Sequence, residues 1–176
     1  MGSEMCIRDS LYAADPFHEG EPPQEGARYL HDVGETIFKL TTEFDPQATI
    51  VMQGWSIREG IVRGIPEDRL LVLDLTGQKW RETDSFWGRA WVAGIIQNYG
   101  GRHSLGGNLP QLATTAPSLL GTPPGRKLVG IGLFPEAIEH NPLLFDLAAD
   151  LGWQRTVPDL ATWTRRYVHA RYGADN

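Results

Sequence analysis

Arg69-Leu70-Leu71-Val72-Leu73-Asp74-Leu75 is an almost continuous apolar run. A strand of this kind is buried on both faces, as in a parallel sheet covered by helices. Shorter runs at residues 48–52, 91–96 and 127–133 read as further strands. Between them lie helical patterns. Ala27, Leu30, Val33, Ile37, Leu40 and Phe44 recur three or four apart, which predicts an amphipathic helix stopped by Asp45-Pro46. Residues 56–64 predict a brief helix closed by Gly64 and Pro66, and residues 109–115 have room for another. Asn141-Pro142 supplies a capping side chain and a first-turn proline for a helix with Leu143, Leu144, Leu147 and Leu151 inward, ending at Gly152. Residues 158–172 predict a last helix, with Leu160, Trp163, Tyr167 and Val168 inward and Gly173 as its stop.

Strands alternating with helices imply an α/β fold with a parallel sheet, and its functional groups belong at the C-terminal ends of the strands. Only four or five strand units can be found, while a closed barrel has eight. The expectation is therefore the C-terminal portion of a (β/α)8 TIM-like barrel over residues 11–155, with residues 156–176 beginning an all-helical domain. Residues 1–10 are set aside, because Met5-Cys6-Ile7-Arg8-Asp9-Ser10 reads like translated sequencing-adapter DNA, the other reading being a genuine disordered N-terminal segment. Cys6 is the single cysteine, so neither a disulfide nor a cysteine metal site is expected. A net charge of −6 argues against nucleic acid, no run approaches the roughly 20 apolar residues of a membrane span, and residues 1–10 lack the apolar core of a signal peptide.

Two carboxylates stand where such a rim would be. Glu136 follows Gly130-Ile131-Gly132-Leu133-Phe134-Pro135, and Glu19 lies in Asp15-Pro16-Phe17-His18-Glu19-Gly20. Cleaving an acetal takes one carboxylic acid and one carboxylate across the bond, which suggests a glycoside hydrolase. Glu136 is equally well placed as a first-turn glutamate of the following helix. Glu19, with Glu21 and Glu25 nearby, also fits an acidic loop. His18 suits orienting a carboxylate or bonding a sugar hydroxyl, or is a solvated loop residue. Trp55 after Gln53 and Gly54 fits either a sugar platform or a core filler. Asn98 before Gly100-Gly101 fits a rim amide or a plain turn. Asp74 is either a pocket group or a carboxylate satisfied by backbone N–H groups. Gly100-Gly101 and Gly106-Gly107 match neither phosphate-loop nor dinucleotide spacing. The histidines have no metal-ligand spacing, and no cofactor is called for.

Taken together, these blocks resemble the α-N-acetylglucosaminidases, glycoside hydrolase family 89. Val51-Met52-Gln53-Gly54-Trp55 is similar to the family's QGW element, and residues 69–75 to its RLLVLDL strand. Asn98-Tyr99-Gly100-Gly101 resembles its HNFGG turn, residues 130–141 its GTGxxPEGIxQN block, and Arg171-Tyr172-Gly173 its RRYG. The resemblance implies a retaining hydrolase that removes terminal α-linked N-acetylglucosamine from glycans or glycosaminoglycans. It puts Glu136 as nucleophile, Glu19 as acid/base, and His18, Gln53, Trp55 and Asn98 at substrate-binding positions. It also implies that an N-terminal half of the barrel lies outside this chain, and a secreted or lysosomal setting. Gln97 departs from the family's histidine, and Ala93-Gly94 from its Trp-Cys pair. A non-catalytic carbohydrate-binding relative and a hexosaminidase of another specificity are the other readings. The latter would need an adjacent Asp-Glu pair, which is not found.

Overall fold

The computed structural model describes residues 10–17, 19–98, 107–136 and 140–173. Strands β1 (Leu11–Ala13), β2 (Thr49–Gln53), β3 (Leu70–Asp74), β4 (Ala90–Gln97) and β5 (Leu128–Pro135) form one five-stranded sheet in chain order, every neighbouring pair parallel. A doubly wound sheet reverses its strand order at a switch point, whereas barrel staves follow one another without reversal. The sheet is therefore a contiguous portion of a barrel wall. Among the described residues its two outer edges, along β1 and β5, are unpaired.

The connections set the outer layer. Helices α1 (Ala27–Phe44) and α2 (Glu59–Arg63) link β1 to β2 and β2 to β3. A left-handed turn, α3 (Asp84–Gly88), precedes β4; α4 (Leu109–Leu119) links β4 to β5; α5 (Pro142–Leu151) and α6 (Leu160–Tyr172) follow. No helix among the described residues is long and apolar enough to cross a membrane.

Burial alternates along the strands. Ile50 and Met52 on β2, Leu70, Val72 and Asp74 on β3, and Trp91 and Ala93 on β4 are buried against Ile61, Val62, Phe86, Ala116 and Leu119 of the outer layer. The opposite face of β3, Leu71 and Leu73, is only half-buried. The prediction of burial on both faces is corrected to this extent: helices cover the outer face, but among the described residues no opposing staves cover the inner one. A second cluster joins α4, α5 and α6 through Ala113, Leu147, Leu151 and Trp163.

Helix α1 has the predicted bounds, yet Leu40 and Phe44 of its stripe are exposed. Phe44 meets Tyr12 of the edge strand at 6.3 Å, edge to face. Gly34 is the buried residue of α1, because an added Cβ there would strike the Ile61 carbonyl of α2. Asn141 and Gly173 terminate their helices as predicted, Asn141 through its side-chain oxygen and Gly173 through a φ of 69°, while α6 starts two residues later than predicted, capped by the Asp159 side chain. The β3–β4 connection was not legible. Instead of an ordinary helix it packs Trp80 on Trp91 at 6.1 Å and Phe86 on Trp91 at 5.7 Å. Asp84, Ser85, Phe86 and Trp87 have φ between 47° and 55°, held by Phe86 N–H on the Thr83 hydroxyl and Trp87 N–H on its carbonyl.

Candidate active site

Because all the strands are parallel, their C-terminal ends lie on one rim. On β5, Ile131 packs outward into both core clusters, which leaves Gly130, Gly132 and Phe134 on the inner face. A Cβ on Gly132 would lie 2.5 Å from the Phe134 ring, and one on Gly94 of β4 would also meet that ring. These glycines thus make room for Phe134 to lie across the neighbouring strand. The Glu136 N–H donates to the Gln97 carbonyl at 3.2 Å, which carries the β4–β5 ladder one residue past Pro135. The two-residue period then places Glu136 on the face of Gly132 and Phe134, and it is exposed at the rim.

At the end of β4, Gln97 is 6% exposed and its Oε1 accepts the Asn141 N–H at 2.6 Å. This bond ties the strand to the start of α5. Asn98 is buried with φ 56°, a left-handed conformation that Asn tolerates well. It borders a cavity of about 440 Å³ that has amide walls from Gln78, Asn108 and Gln111 and an apolar side of Ile95 and Leu112. Tyr99, Gly100 and Gly101 lie outside the described residues, as does His18.

The β1–β2 end is built differently. Pro16 and Phe17 turn the chain beyond β1, with Phe17 at φ 61°. Glu19 follows, exposed, on the wall of a cleft of about 550 Å³ shared with Phe17, Gly20, Glu21, Trp55 and Arg58. Trp55 is 43% exposed, and its Nε1 donates to Gln53 Oε1 at 2.8 Å. The Gln53 N–H donates to Asp15 Oδ1 at 2.6 Å, holding the end of β2 to the loop after β1.

The structure therefore brings Glu19, Trp55 and Gln53 together at one end of the sheet, and Asn98 and Glu136 at the other. The cleft that Glu19 borders does not have Glu136 among its lining residues. Asp74 is resolved toward its structural role: it is 1% exposed, and its carboxylate accepts the backbone N–H groups of Lys79 at 3.3 Å and Trp80 at 3.1 Å. The one group of described residues spaced to hold a metal is His31, Asp32 and Glu35, all exposed on α1. Arg58, which reaches into the Glu19 loop, had no signal in the sequence, since nothing local couples residues so far apart.

A family model described as the alpha-N-acetylglucosaminidase (NAGLU) TIM-barrel domain matches residues 3–155. Human alpha-N-acetylglucosaminidase is 32% identical over 183 residues, an alignment covering 96% of this chain and 24% of that protein. A family 89 glycoside hydrolase from Clostridium perfringens, solved in complex with PUGNAc, aligns with a TM-score of 0.84 at 32% identity, over 95% of this chain and 19% of that one. A form of the Clostridium perfringens protein with two glutamates changed to glutamine, in complex with its substrate GlcNAc-alpha-1,4-galactose, gives 0.85 at 31% identity over the same shares. The chain thus spans about a quarter of the human relative's length. Carrying the matched barrel domain over most of its length on a wall of consecutive parallel staves, the chain belongs to the α-N-acetylglucosaminidase family of glycoside hydrolases.

Proposed function

We propose that this chain supplies the two catalytic carboxylates of a retaining glycosidase that removes terminal α-linked N-acetylglucosamine from glycans or glycosaminoglycans. The observation that carries this reading is the placement of the glutamates. They follow the first and fifth consecutive staves of the sheet, and in a ring of eight staves those two face each other across the mouth. Their separation along the chain also differs by one residue from that of the glutamates changed in the substrate-bound Clostridium perfringens relative.

The proposed chemistry uses the two positions in turn. The Glu136 carboxylate attacks the anomeric carbon while the Glu19 carboxylic acid gives its proton to the departing oxygen, and the glycosidic bond breaks. Glu19, now a carboxylate, takes a proton from water, whose oxygen displaces Glu136 and frees the sugar. Trp55 offers an indole face beside Glu19 for a pyranose, with Gln53 fixing its edge. Gln53, Asn98 and His18 complete the substrate-binding set. Two carboxylates suffice for this scheme, so no metal or organic cofactor is assigned. In the full-length protein, we take residues 11–155 as barrel, 156–176 as the start of a helical domain, and the opposing staves as contributed from outside this chain.

The test is hydrolysis of an aryl α-N-acetylglucosaminide by the full-length protein, with the product anomer followed by NMR. The expected result is an α-configured first product, abolished by Glu136→Ala and strongly slowed by Glu19→Ala. A β-configured first product, or full activity in Glu136→Ala, would overturn the assignment.

A further inference from the structure

We propose that Arg58 is a positioning residue for Glu19, mooring the loop that carries it to the end of the second stave. This rests on the reading of Glu19 as acid/base. Residues 19–25 hold Gly20, Pro22 and Pro23 and join no strand or helix, so the sheet does not fix them. A weak 3.5 Å bond from Gly20 N–H to the Phe17 carbonyl closes the turn around Glu19. Beyond that, among the described residues, the hydrogen bonds reaching residues 19–25 from a distant part of the chain come from one atom. Arg58 Nη2 donates to the Gly20 carbonyl at 3.2 Å and to Glu21 Oε2 at 3.1 Å.

Arg58 is well suited to this. It sits at the N-terminus of α2, just past the turn bearing Trp55, and its carbonyl accepts Val62 N–H at 3.2 Å. Its side chain is 29% exposed, and its Nε is buried without a hydrogen-bond partner. The stem is thus fixed by packing, and the outer end of the fork reaches the two residues that follow Glu19. The Glu21 side chain is 86% exposed, so its ion pair is largely solvated and weak. The contact to the Gly20 carbonyl matters more, because it holds the backbone next to the acid. A general acid has to stand within about 2.6–3.2 Å of the oxygen it protonates, and a misplacement of about 1 Å costs on the order of 100-fold in rate.

The experiment uses the full-length protein and two substrates, GlcNAc-α-1,4-galactose and 2,4-dinitrophenyl α-N-acetylglucosaminide. The disaccharide needs its leaving oxygen protonated; the dinitrophenolate leaves without help. For Arg58→Ala we expect kcat/KM on the disaccharide to fall about 10–100-fold while the dinitrophenyl substrate is little affected. Arg58→Lys, which keeps one donor, should recover part of the loss. It also provides the measurement if Arg58→Ala does not fold. In a Glu19→Ala background, Arg58→Ala should cause little further loss. Equal losses on both substrates, wild-type rates, or full additivity with Glu19→Ala would overturn the positioning role. Should Glu19→Ala itself fail to discriminate between the substrates, the acid/base assignment falls, and the role of Arg58 with it.

Discussion

At the β5 end of the sheet, Glu136 is one ladder bond past the strand, and its direction is inherited from the alternation of β5. At the β1 end, Glu19 lies on a loop beyond a three-residue strand, and the next residue's carbonyl accepts a hydrogen bond from Arg58, which precedes α2. The two carboxylates are thus held by unlike means. In the proposed mechanism Glu136 is the nucleophile, which has to approach one carbon along one line, and a sheet supplies that rigidity. Glu19, proposed as the acid that later serves as a base, would serve two oxygens in turn, and a moored loop suits that task.

The largest effect that tests this contrast is on turnover. Glu19→Gln should lower kcat on poor leaving groups by about 10²–10⁴-fold, the usual worth of a general acid. On the proposed mechanism Glu136→Gln should cost more, on every substrate, because it removes the carboxylate that would form the covalent intermediate. Equal losses on an activated aryl glycoside would break the comparison. Next, Gly94→Ala should destabilise the full-length protein by about 1–3 kcal/mol, the range for overpacking, since its Cβ would meet Phe134 and the Asp74 carbonyl. Gly20→Ala has open space around it and should stay within about 0.5 kcal/mol. Denaturant titration of both variants decides the point, and similar midpoints would remove the distinction between a rigid and a moored rim.

A smaller difference is expected between the two amides. Gln97→Ala strips the Asn141 N–H of its acceptor and should cost about 1 kcal/mol. Gln53→Ala, half-buried beside exposed Trp55, should cost less, as thermal unfolding of the pair would show. The smallest effect lies at the foot of the sheet, away from both rims. There the hydrogen bond and charge of Lys127, at 2.6 Å, hold the Glu67 carboxyl below its ordinary range. A lowered folded-state value means that this pair stabilises above the ordinary glutamate pKa and loses its effect as pH falls through the lowered one. Glu67→Gln should therefore slightly lower stability at neutral pH and leave it unchanged in strong acid, with neither rim affected.

Much of this was legible in the chain. The stripe from Ala27 to Phe44 gave α1 its bounds, and the caps at Asn141 and Gly173 are local chemistry. The position of Glu136 could be read from the strand before it. Other features depend on distant neighbours. Which face of β3 is covered depends on what lies across the barrel, and whether Asp74 faces a pocket depends on backbone N–H groups beyond the strand. The mooring of Glu19 joins residues with no periodic relation. The β3–β4 connection was opaque for a related reason: nothing in Ser85-Phe86-Trp87 favours positive φ.

That connection has a kinetic consequence. Left-handed backbone costs an L-residue about 1–2 kcal/mol, so Asp84 to Trp87 cannot seed structure on their own. The turn becomes tolerable once Phe86 can slot beside Trp91 and beneath Gly54, which requires β2 and β4 to be in place already. It should therefore lock after the folding transition state. Trimming Phe86 to leucine would then hasten unfolding while leaving the refolding rate nearly unchanged.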